Sequence, residues 1–124
     1  MPYGRRPSVE YTGHGFLMCY DGFGSRWFRA SEEWVRKGCK KLVQKNKDDY
    51  ACYNDLYSYW GITSNDFGYS KGWAPENNED YGRPIEFTFT MCGPGTELYD
   101  MVGENVFAIE PVWDCMPFDG YMEV

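Results

Sequence analysis

His14 and Cys19 are the first residues along the chain whose types allow chemistry. Histidine titrates near neutral pH and serves as a general base or metal ligand. A thiol beside it would make a nucleophile pair. His14 is the only histidine among 124 residues. Five residues of strand would hold the two about 16 Å apart at about 3.3 Å each. Only a chain reversal brings them together, so the expectation is a structural or surface histidine and a buried thiol. The other cysteines, Cys39, Cys52, Cys92 and Cys115, are widely spaced, with no C-x-x-C pair. An odd number at such spacings fits neither a disulfide framework nor a zinc site. It fits buried reduced thiols, which behave as small hydrophobes.

Carboxylates are the second candidate chemistry. Glu76, Glu79 and Asp80, with Asn77 and Asn78, offer oxygens of the kind calcium takes, but the alternating D-x-D-x-D-G loop is missing. A solvated loop explains them. Asp48 and Asp49 could act as a pair, yet a helix N-terminus accounts for both. "GFGSRW" is only superficially like a phosphate loop, and G-x-S-x-G and H-E-x-x-H are absent. The sequence therefore predicts a protein that is not an enzyme, with no catalytic residue, metal or cofactor.

The net charge is −7, unevenly spread. Arg26 to Lys47 holds eight basic and two acidic residues, whereas Asp48 to Val124 holds two basic and fifteen acidic. The basic stretch puts Arg36, Lys37, Lys40 and Lys41 on one helix face. Such a face gives weak, salt-sensitive contact with phosphates, and the acidic remainder repels the same polyanion. Direct nucleic-acid binding is therefore disfavoured, and a solvated face or an acidic partner is preferred. The acidic part permits another reading, an anionic array beside exposed rings, steered toward a basic groove. Its candidate residues are Asp66, Glu76, Glu79, Asp80, Asp100 and Glu104, with Tyr69 and Trp73 as ring anchors. The plain alternative is that acidity keeps an aromatic-rich domain soluble.

These residues need elements to position them. Residues 1–10 are polar with two prolines and read as a loose arm. Residues 11–124 fit one domain, and at 19% aromatic its core should be rich in rings. His14 to Asp21 reads as a buried strand, Gly22 to Gly24 as a turn and "SRWFRA" as the returning strand. Ser31 caps a helix whose apolar stripe is Trp34, Val35, Gly38, Cys39, Leu42 and Val43. Asp48 or Asp49 caps a second helix, with Cys52, Tyr53, Leu56, Tyr57 and Trp60 inward and Gly61 as its stop. Thr63 to Asp66 can start another turn, and Trp73 is expected to fold back on Tyr57 and Trp60. Ile85 to Cys92 alternates as a half-buried strand, and Asn105 to Trp113 is its partner, bent or at an edge near Pro111. The predicted fold is α+β, two helices packed on a small antiparallel sheet. No segment has the apolar length of a membrane span. The start has no apolar run of the secretory kind, so a cytoplasmic product of a bacterium, or of a virus infecting one, is expected.

"YNDLYSYWGI", a spacer ending in "FGYSKGW", the strand "IEFTFT" and then "VFAIEPVW" together carry a resemblance. The order resembles the C-terminal module of a family of small proteins encoded by phages and prophages of Firmicutes. Asn54, Asp55, Tyr57, Gly61, Gly72, Trp73, Ile85, Glu86 and Phe87 occupy the family's positions, and the likeness runs from Trp27 to Trp113. The closing strand lacks the family's Asp-Phe-Asn pattern, and longer members carry apolar N-terminal segments absent here. The resemblance implies a phage or mobile-element origin and supplies no activity. Size, acidity and resemblance lead to one expectation, a small binding protein that inhibits a host defence nuclease or other nucleic-acid machine by occlusion. Its partner is a protein, and no membrane is involved. A virion structural or assembly component is the alternative, and a cysteine-dependent enzyme the third. The oligomeric state is left open.

Overall fold

Residues 7–75 and 84–119 are described in the computed structural model of the chain. Its centre is a five-stranded mixed sheet of β1 (Val9–Tyr11), β2 (Leu17–Asp21), β3 (Arg26–Ala30), β6 (Phe87–Cys92) and β7 (Val106–Pro111), in the order β1-β3-β2-β7-β6. The hairpin β2–β3 is antiparallel, as the sequence predicts, with Cys19 opposite Phe28. The pair β6–β7 is also antiparallel. The pairs β1–β3 and β2–β7 are parallel, so the sheet is mixed rather than antiparallel. A second sheet, of order β4-β5-β8, joins β4 (Ala51–Cys52), β5 (Lys71–Trp73) and β8 (Phe118–Asp119). The fold is thus α+β, with more strands than the sequence suggested. Val9 and Glu10, expected in the loose arm, already belong to β1.

Helix α1 (Glu32–Asn46) follows its sequence closely. The Ser31 side chain accepts from Trp34 N–H, Glu32 and Glu33 fill the first turn, and Val35, Gly38, Cys39 and Leu42 are buried. Trp34 and Val43 are partly buried against the same core. Helix α2 (Tyr53–Trp60) begins later than predicted. Its N-cap is Cys52, and Asp55, not Asp48 or Asp49, closes the first turn by accepting from Cys52 N–H at 2.9 Å. The physical reason is β4. Ala51 and Cys52 pair with Trp73 and Gly72, which requires extended backbone where the earlier cap would have put helix. Asn46, wholly buried, fixes this junction by donating to the carbonyls of Asp49 at 3.1 Å and Trp73 at 3.0 Å. Gly61 ends α2 at φ 84°, a left-handed value that glycine takes without strain.

Helix α3 (Asp66–Ser70) is capped by Asn65 and packs on α2 and β5. Helix α4 (Glu97–Val102), between β6 and β7, was not predicted. Thr96 caps it and Gly103 stops it at φ 75°. One core holds Cys19, Phe28 and Ala30 of the sheet against Val35 and Leu42 of α1 and Leu56, Tyr57 and Trp60 of α2. A smaller cluster on the other face joins Met18, Trp27, Val106 and Val102 of α4. Pro111, expected in a bent or edge strand, lies at the end of central β7, beyond its last β2 partner, Asp21 opposite Ile109.

Candidate interaction site

Arg29 organises one end of the sheet. Phe28 and Ala30 point into the main core, so alternation along β3 sends Arg29 to the opposite face. Its guanidinium grips Glu104 with both arms, Nη1 to Oε1 at 2.5 Å and Nη2 to Oε2 at 3.0 Å. Nη1 also donates to the carbonyl of Phe16 at 2.9 Å. The topology makes this meeting possible. Phe16 immediately precedes β2 and Glu104 shortly precedes β7, and the two strands run parallel with Met18 opposite Val106. Tyr11 lies opposite Arg29 in the neighbouring strand. The hydrogen bonding that Arg29 donates to Glu104 is the chief reason the Arg29 pKa is raised. The pair is partly open to water, at 19% and 38% side-chain exposure. Its stabilisation is therefore about 1 kcal/mol or less, and its effect is positional.

Around this pair the surface carries rings and acid. Phe16 is 82% exposed and Tyr11 70%. On α4, Val102 and Leu98 pack inward against Met18, Trp27 and Val106, leaving Glu97, Asp100 and Met101 exposed. Asp100 and Glu104, both predicted site residues, thus share one end of the sheet with Phe16 and Tyr11. The other predicted residues do not join them. Asp66 and Tyr69 are exposed on α3, at the opposite end. There Phe67 meets Phe23 of the β2–β3 turn at 5.3 Å between ring centroids. The length of β2, roughly 13 Å at about 3.3 Å per step, lies between the two groups.

Trp73 is not a surface anchor. It is 2% exposed, its indole N–H donates to the Cys115 carbonyl at 2.8 Å, and its ring packs beside Tyr53 and Phe87. It shares one core with the Tyr57 and Trp60 that the sequence suggested, with its ring contacts made to Tyr53 and Phe87. Glu76, Glu79 and Asp80 lie outside the described residues. On the basic face, Lys37, Lys40 and Lys41 are exposed. Arg36 pairs with Glu32 at 3.1 Å while lying 4.3 Å over the Phe89 ring. Tyr11, Phe16, Arg29 and Met101 were missed from sequence. The signal for α4 was present as the Thr96 and Gly103 pair of caps, and Met101 follows once that helix is drawn. Phe16 sits in an apolar run that reads as buried strand, and nothing local marks it as exposed.

The thiol and imidazole remain apart. Cys19 is fully buried, its Sγ donating to the carbonyls of Leu17 at 3.4 Å and Ala30 at 3.7 Å. Burial pushes its pKa up to about 12. His14 stacks flat on Trp34, with ring centroids 3.5 Å apart. None of the five cysteines is joined in a disulfide. Among the described residues, no three His, Cys, Asp or Glu side chains are grouped to hold a metal ion, and no helix is long and apolar enough to cross a membrane. The buried carboxylate, Asp21, is consumed by structure. It accepts from Tyr57 Oη at 2.7 Å and from the Phe23 and Gly24 N–H groups at 3.1 and 3.0 Å.

Comparison with family models, with curated proteins and with solved structures finds no match to this chain.

Proposed function

We propose that this protein works by binding another protein through the acidic, ring-bearing end of its sheet, in the manner of a phage-borne inhibitor that occludes a basic, nucleic-acid-handling host enzyme. The reading rests chiefly on one observation: Phe16 and Tyr11 stand exposed beside the Arg29–Glu104 pair and the acidic face of α4. Full burial of a ring such as Phe16 is worth about 1.5–3 kcal/mol, and the fold leaves it unused. A partner that covers it gains that energy. Glu97 and Asp100 would steer a basic groove toward the contact. Arg29 and Glu104 would hold the Phe16 backbone in place beforehand, which lowers the ordering cost of binding. The array predicted from sequence is narrower here, because Asp66 and Tyr69 occupy the other end.

The test uses the chain as bait in a lysate of a Firmicutes bacterium, beside a Phe16→Ser/Asp100→Lys variant that melts at the same temperature. Support is a nucleic-acid-handling enzyme retained by the natural chain, released by the variant and inhibited in solution by the former alone. Retention of the same proteins by both forms would count against the reading.

A further inference from the structure

A second surface lies along β6, at the other side of the sheet. Among the described residues β7 is the only strand beside it, so one edge carries unpaired backbone groups. Which groups these are follows from the register. Phe87 stands opposite Pro111, which has no N–H to give. Val112 N–H donates to the Glu86 carbonyl at 2.9 Å, and the Ile109 carbonyl accepts from Gly22 N–H on the far side at 2.8 Å. Glu86, Thr88, Thr90 and Cys92 therefore face β7 through their backbones, and Phe87, Phe89 and Met91 direct theirs outward.

The side chains beside this edge are selective. Phe87 and Phe89 are half-buried and Met91 is 47% exposed. Arg36, Cys39 and Lys40 of α1 join Phe87 and Phe89 around a hollow of about 210 Å³. Lys37 lies on the same helix and is exposed. Glu32 and Glu33 stand one turn back, and Glu32 is engaged by Arg36 at 3.1 Å. An exposed pair of this spacing is worth only about 0.3–0.5 kcal/mol, so Arg36 can exchange it for another carboxylate.

We propose that β6 takes an extended acidic segment of a partner protein as a sixth strand, pairing with Phe87, Phe89 and Met91. One apolar side chain would enter the hollow and carboxylates would meet Arg36, Lys37 and Lys40. The occupant is acidic because the edge is flanked by cations. A second copy joined edge to edge would bring two basic helix faces together, and like charges oppose that. Main-chain bonds provide affinity in this mode, and alternating side chains provide selection. This surface is separate from the Phe16 end and does not depend on the reading given for it.

The experiment uses the whole chain and an end-blocked peptide, Val-Glu-Val-Glu-Val-Glu-Val, with a Lys-for-Glu peptide as control. Amide exchange read by NMR should slow at Phe87, Phe89 and Met91 and stay unchanged at Thr88 and Thr90, which are already paired. Met91→Pro removes an outward N–H and leaves the β7 ladder whole. It should weaken the acidic peptide at least tenfold with the melting temperature nearly unchanged. Lys40→Glu should weaken it about threefold and strengthen the Lys peptide. Three results would overturn the proposal: no binding at millimolar peptide, equal binding of both peptides, or a dimer whose Phe87, Phe89 and Met91 amides are protected without peptide.

Discussion

Asp21 is 1% exposed, and its hydrogen bonds decide whether that burial is tolerable. Burial raises its pKa, opposed by hydrogen bonds from Tyr57, Gly24 and Phe23 and by the charge of Arg26. The net effect is upward, so the folded chain holds this proton more tightly than the unfolded chain. The stability it contributes is present in full below the ordinary aspartate range, about pH 4. It is lost as pH rises through the raised folded value. Asp21→Asn keeps an oxygen for the two N–H groups and removes the charge. Its melting temperature should therefore fall less than that of the natural chain between about pH 4 and pH 7. Parallel profiles would contradict the shift. Tyr57→Phe leaves the carboxylate short of one donor and should cost about 1–3 kcal/mol in chemical denaturation. The thiols divide by the same physics. Burial raises the pKa of both Cys19 and Cys39, so a thiol reagent at pH 8 should modify half-buried Cys92 and Cys115 first. Peptide mapping of the native protein after brief labelling reads this directly.

At the scale of elements, α1 shows two effects of opposite sign at one residue. Gly38 lies mid-helix, where alanine is favoured by about 1 kcal/mol. A Cβ there would stand 2.5 Å from Trp60 Cδ1. Trp60 is wholly buried and its indole N–H donates to the Val35 carbonyl at 3.0 Å, so it has no room to withdraw. Overpacking of this kind costs about 1–3 kcal/mol, and the clash prevails. Gly38→Ala should lower the unfolding free energy by up to about 2 kcal/mol, despite the helix propensity gained.

Local signals of this sort made much of the fold legible. Ser31 with its apolar stripe gave α1, Gly61 gave the end of α2, and alternation gave β6. Long-range pairings were not legible. The start of α2 depends on Trp73 and Gly72, about twenty residues downstream. The parallel pairing of β2 with β7 joins segments that no local pattern relates. Trp73 was misplaced as a surface anchor for the same reason: its partner is the carbonyl of Cys115. Of the candidate site, Asp100 and Glu104 could be named from charge and the predicted hairpin puts Phe16 beside Arg29, but Glu104 reaches them only through the parallel register of β2 and β7.

On the scale of the whole molecule, the charge asymmetry of the sequence becomes a spatial one. The basic face of α1 flanks the β6 edge. Acidic α4 and the exposed Phe16 and Tyr11 mark the end of the sheet where β2 and β7 begin. Asp66 and Tyr69 sit at the end where those strands finish. A single broad anionic array is therefore divided among the described residues, and a partner of ordinary footprint, about 800 Å² per side, would use one end. The Phe16 end combines the most exposed phenylalanine with fixed neighbours. The most direct measurement replaces Phe16 with a photo-crosslinking benzoylphenylalanine, with Tyr50, 54% exposed elsewhere, as the comparison position. Irradiation in bacterial lysate should yield one dominant adduct from position 16, absent from position 50 and suppressed by Asp100→Lys. The same adducts from both positions, or none from position 16, would contradict binding through this end of the sheet.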